Sequence, residues 1–335
     1  MQIDKAFCLS LEEDGYRRGL KGERERMSER KLVVLGTASQ VPGRTRNQNG
    51  YLLRFDEEGF LFDPGEGTQR QMIMACVSVS EITKIFITHF HGDHCLGLAG
   101  IIQRISLDRV PHEVEIYYPA SGRIYYEHLR DACLFFNAAH LREHPVEAEG
   151  VIFEDGRITI EAEHLDHGVD CFGYRMEEKD NYTLDPERLE EFGIRDRDAG
   201  RLKSSGTITI GGRTIGINDV GSVLKGQCFA FIMDTRVCRG AYELAAGADL
   251  CVMEATYLSD MESAAHEYGH LTAAQASLIA RDSGVKKLVL THYSQRYNST
   301  DEFAEEASQY HGNCVIAVDG ETIFFPRRKR KLVGA

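Results

Sequence analysis

The feature that most limits what this chain can be is a group of metal-binding residue types at the end of an apolar strand. Residues 84–88 (Lys-Ile-Phe-Ile-Thr) form a run typical of a strand buried on both faces. Residues 89–94 (His-Phe-His-Gly-Asp-His) follow at once and bring three imidazoles and one carboxylate into six positions. Neutral imidazole and carboxylate oxygen are ligands that zinc and similar divalent metals prefer. The sequence therefore predicts a metal centre at the end of this strand.

The spacing within this group indicates two metal ions. Alternate residues of an extended segment point the same way, so His89 and His91 can bind one ion. After the turn at Gly92, Asp93 and His94 can face a second ion.

Three later residues can complete both sites. Asp234 and His292 each end an apolar run, where α/β proteins collect their catalytic groups, and His167 lies in the loop after a predicted strand. Taken alone, each of these three would more often be a structural polar residue of the core or of a loop. Together with the first group they suffice for two metals about 3.5–4 Å apart that one carboxylate bridges. The candidate metal ligands are His89, His91, Asp93, His94, His167, Asp234 and His292.

Charge and composition restrict the partners of the chain. Of 335 residues, 39 are Lys or Arg and 52 are Asp or Glu, which gives a net charge of −13. That balance argues against binding nucleic acid over the whole surface, although a local basic groove remains compatible with it. The nine cysteines contain no C-x-x-C pair, so no cysteine zinc site is indicated. No apolar run reaches the roughly 18 residues of a membrane span, and no signal peptide is recognisable, so we expect a soluble, cytoplasmic protein.

Composition and hydrophobic pattern divide the chain into a body and two polar ends. Residues 1–30 are polar and charge-mixed, which predicts an N-terminal tail, and residues 326–335 form a basic C-terminal tail. Between them, strands and helices alternate from residue 31 to residue 325, and several strands pair as hairpins. This pattern predicts an α/β domain with a mixed sheet covered by helices. Residues 177–226 stand apart as an insertion that contains a hairpin turn at Gly211-Gly212.

The order of these motifs resembles the metallo-β-lactamase superfamily, and within it the ribonuclease Z family of tRNA 3′-processing endonucleases. The superfamily motifs are matched by Asp63 with Gly65, by the group at 89–94, and by His167, Asp234 and His292. Stretches similar to the narrower family are Pro42-x-Arg44-x-Arg46-Asn47, residues 63–71, Met253-Glu254-Ala255-Thr256, His270-Leu271-Thr272 and residues 291–297. The resemblance covers roughly residues 31–325. It implies a metallo-β-lactamase αββα sandwich with a two-metal hydrolase site at one edge and a protruding arm, which residues 177–226 would form.

The resemblance also implies roles for individual residues. It places His89, His91 and His167 on a first zinc ion and Asp93, His94 and His292 on a second, with Asp234 bridging both; manganese or iron are alternatives to zinc. Asp93 would accept a proton from the metal-activated water. His270 would protonate the leaving 3′-oxygen, and Glu254 could orient His270.

Other residues are expected to support the site or the substrate. Asp63 is expected to hydrogen-bond the histidine loop from behind. Arg44, Arg46 and Arg296 could hold RNA phosphates, or each could be a solvated surface residue. The insertion lacks the family's Gly-Pro-rich tip and carries alternating charges at residues 193–200, which leaves its grip on tRNA open.

The leading hypothesis is a zinc-dependent endoribonuclease that cleaves the 3′ trailer from precursor tRNA. Its products would be a 3′-hydroxyl on the tRNA and a 5′-phosphomonoester on the trailer. The alternatives are a metal-dependent phosphodiesterase or sulfatase-like hydrolase of smaller substrates, and a catalytically silent RNA-binding protein. The insertion favours the first, because a small substrate has no need of it. The resemblance further implies a homodimer without membrane association.

Overall fold

The computed structural model of the protein describes residues 30–328, so most of the expected tails at residues 1–30 and 326–335 lies outside the described residues. The strands are β1 (Lys31–Gly36), β2 (Gly50–Phe55), β3 (Glu58–Phe62), β4 (Lys84–Phe86), β5 (Val114–Pro119), β6 (Leu141–Val146), β7 (Gly150–Glu154), β8 (Ile158–His164), β9 (Phe172–Glu178), β10 (Asn181–Leu184), β11 (Thr207–Ile210), β12 (Arg213–Gly216), β13 (Gly221–Leu224), β14 (Cys228–Ile232), β15 (Leu250–Glu254), β16 (Leu288–Thr291), β17 (Cys314–Ile316) and β18 (Thr322–Phe324).

The helices connect these strands or cover them. They are α1 (Thr68–Met74), α2 (Gly92–Cys95), α3 (Leu98–Leu107), α4 (Arg123–Arg130), α5 (Pro186–Glu191), α6 (Asp196–Ser205), α7 (Ile217–Val220), α8 (Arg239–Ala245), α9 (Glu262–Tyr268), α10 (Ala273–Asp282) and α11 (Asp301–Ser308). Single 3₁₀ turns lie at Val79–Glu81, Ala120–Gly122 and Ser259–Met261.

Two seven-stranded sheets form the body. The first has the order β18-β1-β2-β3-β4-β5-β6 and the second the order β17-β16-β15-β14-β9-β8-β7. Both are mixed, because in each an antiparallel half adjoins a parallel half: β3 pairs with β4 in parallel and with β2 antiparallel, and β14 pairs in the same two ways with β15 and β9. The mixed pairing that the sequence predicts is confirmed, and it is divided over two sheets.

The central strands of each sheet are buried on both faces, which explains why these strands are almost continuously apolar. In β3, Phe60 and Phe62 point into the layer between the sheets, whereas Leu61 points outward at the helices. The ring of Phe62 joins the two sheets, since its centroid lies 5.0 Å from that of Phe86 and 4.7 Å from that of Phe231. Helices α1 and α3 cover the first sheet and α8, α10 and α11 cover the second, which completes the αββα sandwich.

An insertion leaves the second sheet between β9 and β14. Strands β10 and β13 pair antiparallel as its stalk, with Leu184 opposite Gly221. Beyond the stalk, the β11–β12 hairpin and helices α5, α6 and α7 enclose an apolar core of their own, which includes Leu202, Ile215 and Val220. The alternating charges near residues 193–200 belong largely to helix α6.

Both ends of the described chain meet at the root of this insertion. Arg30 donates from Nη1 and Nη2 to the carboxylate of Glu178, over 2.7 and 2.8 Å, and Arg328 donates to the same carboxylate over 2.6 Å. Arg30 also places its guanidinium 3.8 Å from the ring centroid of Phe55. The packed body therefore extends from Arg30 to Arg328. Among these residues, no helix is both long and apolar enough to cross a bilayer.

Candidate metal centre

The first group of candidate ligands converges from three segments. His89 and His91 follow β4, His167 follows β8, and Asp234 follows β14. Nδ1 of His91 lies 2.9 Å from Nε2 of His89 and 3.2 Å from Nε2 of His167. Oδ2 of Asp234 lies 3.3 Å from Nε2 of His167, so three nitrogens and one oxygen surround one point.

The second group adjoins the first and shares Asp234 with it. Nε2 of His94 lies 3.2 Å from Oδ2 of Asp93 and 3.3 Å from Oδ2 of Asp234. Nε2 of His292 lies 3.2 Å from the other carboxylate oxygen of Asp234. All seven residues that the sequence predicts as ligands are thus brought together, and the two oxygens of Asp234 face different neighbours.

In each of two histidines, a hydrogen bond from the ring nitrogen that points away from the site determines that the other ring nitrogen is free to bind a metal. Nδ1 of His167 donates to the carbonyl of Gly269 over 2.8 Å, and Nδ1 of His292 donates to the hydroxyl of Thr256 over 2.7 Å. With Nδ1 carrying the proton, Nε2 keeps a lone pair toward the centre. Sequence reasoning does not reveal this role of Gly269 or Thr256, because each lies far along the chain from its histidine.

Asp63 supports the same arrangement from below. It follows β3, is fully buried, and accepts hydrogen bonds of 2.8 Å from the amide of Thr88, the hydroxyl of Thr88 and Nδ1 of His94. The hydroxyl of Thr88 in turn accepts from Nδ1 of His89 over 3.0 Å. One carboxylate therefore orients a histidine of each group.

Three non-glycine residues at this edge of the sandwich have strained backbone conformations. Asp63, Asp234 and His292 have φ angles of 42°, 44° and 65°, in the left-handed region that side chains other than glycine rarely adopt. All three directly follow strands or lie within two residues of their ends. Such conformations cost of order 1–3 kcal/mol each and persist where the surroundings hold them, which is typical of functional sites.

The charges of the site suit a divalent cation. Burial lowers the pKa of His94, but the carboxylates of Asp93, Asp234 and Asp63 outweigh it and raise that pKa well above the ordinary 6.5. Oδ1 of Asp234 is buried and has no hydrogen-bond partner among residues 30–328. Several carboxylates enclosed with imidazole lone pairs form a donor set that a divalent metal would neutralise and satisfy.

A second carboxylate–histidine pair lies beside the two groups. Nδ1 of His270 donates to Oε1 of Glu254 over 3.0 Å, and the His270 ring lies 5.4 Å from that of His292. Burial lowers the pKa of His270, but Glu254 and Asp234 outweigh it and raise the pKa to about 9. His270 is thus able to carry a proton at neutral pH beside the two groups of candidate ligands.

The three arginines that the sequence singled out lie in different settings. Arg296 is exposed and stands 5.1 Å above the ring of Tyr257, which itself lies 6.0 Å from the ring of His270. Arg46 donates to the carbonyl of Tyr297, so its guanidinium already has a partner within the protein. Arg44 is exposed on the same loop.

The fold and the site together define a class of protein. Two mixed sheets with a histidine–aspartate centre at the ends of their strands are the architecture of the metallo-β-lactamase superfamily, and residues 43–179 match the family model of that superfamily.

Whole-chain comparisons are more specific. Ribonuclease Z of Nocardia farcinica is 52% identical over 305 residues, which cover 90% of this chain and 100% of that protein. Ribonuclease Z of Streptomyces coelicolor is 50% identical with the same coverage. Among solved structures, the short form of human tRNase Z superposes with a TM-score of 0.64 at 25% identity, over 89% of this chain and 100% of that one. This chain therefore belongs to the ribonuclease Z family.

Proposed function

We propose that the protein is a zinc-dependent endoribonuclease that removes the 3′ trailer from precursor tRNA. The observation that carries the proposal is the shared carboxylate of Asp234, which joins two ligand groups beside the His270–Glu254 pair in a chain of this family. His89, His91 and His167 would hold one ion, Asp93, His94 and His292 the other, and Asp234 both.

The metals, when bound, supply an activated water and neutralise charge on the phosphoryl oxygens. Asp93 would accept the proton of that water. Burial raises its pKa, but His94 and His292 outweigh burial and hold the pKa well below its ordinary value, so the carboxylate is ionised at neutral pH. The bond from the water oxygen to phosphorus forms while the bond from phosphorus to the 3′-oxygen breaks. The trailer consequently keeps the phosphate as a 5′-phosphomonoester.

His270 would complete the reaction by protonating the departing 3′-oxygen. Glu254 holds Nδ1 of His270, which leaves Nε2 as the atom that can give a proton away. Glu254 is itself held by the amide of Thr235 over 2.7 Å and by the hydroxyl of Thr256 over 2.6 Å. The acid is therefore fixed in orientation by a buried network.

Substrate phosphates would be held next to this acid and at the insertion. Arg296, whose guanidinium lies 5.1 Å from the ring centroid of Tyr257, would pair with a phosphate near His270, and Arg44 would contribute from the neighbouring loop. Arg46 would contribute only by exchanging its bond to Tyr297. On the insertion, exposed cations on or beside α6 could meet tRNA phosphates: Arg195, Arg197, Arg201 and Lys203.

We also propose that two copies of the chain associate. Leu107 at the end of α3 and Leu134 and Phe136 in the loop after α4 are largely exposed, with Phe136 at 89%. The carbonyl of Phe136 accepts from the hydroxyl of Ser106, which keeps this loop against α3. Exposed apolar groups of this size are typical of an interaction surface. The proposed precursor tRNA substrate also implies a cytoplasmic protein.

The decisive experiment incubates zinc-loaded protein with a precursor tRNA that carries a short 3′ trailer and maps both product ends. We expect a tRNA ending in a 3′-hydroxyl and a trailer with a 5′-phosphate. Intact precursor, together with rapid hydrolysis of bis(p-nitrophenyl) phosphate, would refute the tRNA assignment and favour a phosphodiesterase of smaller substrates.

A further inference from the structure

Arg236 connects two loops of the site although it lies outside the ligand set. It follows the bridging residue Asp234 by two positions. Its Nε donates to the carbonyl of His266 over 2.6 Å and its Nη2 to the carbonyl of Glu267 over 3.2 Å. Its Nη1 donates to Oδ1 of Asp166 over 2.9 Å.

The two carbonyls belong to the last turn of helix α9. Carbonyls in the last turn of a helix lack a full set of intrahelical partners and carry the negative end of the helix dipole. A guanidinium with several donors in a rigid fork can bind two of them at once. The chain then turns at Gly269, where φ is 79°, and continues directly to His270.

The backbone of the same segment holds the other loop. The amide of Arg236 donates to the carbonyl of Asp166 over 2.9 Å, and the amide of Asp166 donates to the hydroxyl of Thr235 over 3.0 Å. The loop that carries His167 thus keeps two backbone bonds that do not depend on the Arg236 side chain. The turn before His270 is joined to this segment directly by that side chain, and to the neighbouring loop by the bond from Nδ1 of His167 to the carbonyl of Gly269.

We propose that Arg236 is a positioning residue for His270, acting through the carbonyls of His266 and Glu267. This inference rests on the proposed function, in which His270 protonates the leaving oxygen. Glu254 holds the His270 ring from one side, and Arg236 holds the backbone before it from the other. Loss of the guanidinium would free the carbonyls of His266 and Glu267 and would misplace the proton donor, while the bond from His167 to the carbonyl of Gly269 keeps the ligand groups assembled.

The choice of leaving group distinguishes this role from a general structural one. A 3′-alkoxide is a poor leaving group and needs a proton as it departs. The p-nitrophenolate of bis(p-nitrophenyl) phosphate is a stable anion and departs without one. A residue that acts through His270 should therefore matter for tRNA cleavage and much less for hydrolysis of this diester.

The test compares Arg236→Met with Arg239→Met, a matched change at an exposed arginine that pairs with Glu149 and Glu243 instead. In Arg236→Met we expect kcat on precursor tRNA to fall about 10–100-fold, the range for lost supporting contacts, with a clearly smaller loss on the diester. Arg236→Lys should recover part of kcat, because it keeps the charge and can reach one carbonyl. Arg239→Met should retain both activities.

Further measurements make the inference refutable. On a His270→Ala background, Arg236→Met should cause no additional loss on tRNA, and its metal content should match wild type. Equal losses on both substrates, full additivity with His270→Ala, or a reduced metal content would overturn the link to His270. A wild-type protein that hydrolyses the diester but leaves precursor tRNA intact would instead overturn the proposed function, and this inference with it.

Discussion

Nδ1 of His270 donates to Oε1 of Glu254 over 3.0 Å, and the other oxygen of this carboxylate reaches the ligand His292 through the hydroxyl of Thr256. Glu254 is completely buried, and burial raises its pKa, but the charge of His270 outweighs burial and lowers that pKa. One ionised carboxylate therefore orients both the proposed acid and a candidate metal ligand.

Replacing Glu254 by Gln should change how activity depends on pH. The carboxylate raises the pKa of His270 against the effect of burial, so its loss should lower that pKa. An acid works only while protonated, and the alkaline limb of the kcat profile on precursor tRNA should move to lower pH. The measurement is kcat between pH 6 and pH 10 for both proteins. An unchanged alkaline limb would separate His270 from the proton transfer.

Replacing His91 by Ala should abolish cleavage through loss of metal. Nδ1 of His91 lies within 3.2 Å of the ligand atoms of both His89 and His167, so its removal opens the first group. Metal content by mass spectrometry and cleavage of precursor tRNA should fall together. His128→Ala removes an exposed imidazole on α4 and should leave both unchanged. Wild-type activity in His91→Ala would contradict the site.

Shortening the insertion should affect the large substrate selectively. Leu184 pairs with Gly221, so residues 185–220 can be replaced by a two-residue Asn-Gly turn that closes the stalk as a hairpin. We expect precursor tRNA cleavage to fall at least tenfold while hydrolysis of bis(p-nitrophenyl) phosphate is retained.

A second variant, with the four exposed cations near α6 changed to Gln, tests the contribution of charge while the insertion keeps its shape. Its affinity for precursor tRNA should fall less steeply with rising salt concentration than the affinity of the wild type does. Equal losses on both substrates in the shortened protein would show that the insertion supports the fold and does not hold tRNA.

Glu178→Gln should lower stability in a pH-dependent way. Burial raises the pKa of Glu178, but its bonds with Arg30 outweigh burial and lower the pKa below the ordinary 4.5. The contribution of the ionised group is thus present above pH 4.5 and is lost as the pH falls through the lowered value. Urea unfolding should show a deficit of about 2 kcal/mol at pH 7 that narrows below pH 4.5.

Glu177→Gln is the control, because this neighbour is exposed and pairs with Arg175, over 3.3 Å. A deficit in Glu178→Gln that stays constant with pH would mean that packing, and not the ion pair, accounts for it.

Polar substitutions at Leu134 and Phe136 should dissociate the proposed dimer. Both side chains are almost fully exposed in a single chain, so Leu134→Ser with Phe136→Ser removes apolar contact area without opening the core. Light scattering should report a dimer for wild type and a monomer for the double variant, with unchanged thermal unfolding of the body at equal concentration. A monomeric wild type would refute the association.

The positions of the candidate ligands could be predicted from the sequence because each terminates or closely follows an apolar run. His89, Asp234 and His292 lie at strand ends in the structure, as that pattern predicts. The edge strands β6 and β7 were not predicted, because partly exposed strands such as Leu-Arg-Glu-His-Pro-Val carry no continuous apolar run. Helix α6 was missed for a related reason, since alternating charges conceal its single buried residue, Leu202.

The contacts that support the site could not be predicted from the sequence. Gly269 accepts from His167 across 102 positions, and Thr256 accepts from His292 across 36. Neither partner has a residue type that indicates such a role, and only the folded arrangement brings the pairs together. Arg236 belongs to this group as well.

The meeting of Arg30 and Arg328 on Glu178 has a consequence for the order of the chain. The two ends of the described chain lie within reach of one carboxylate, so a short linker could join them without crossing either sheet. New termini could then open at the Gly211-Gly212 turn, where nothing lies within 4 Å of an added Cβ. Such a circular permutant would retain every strand pairing of the sandwich, because the connectivity of this fold does not require the chain to begin at β1.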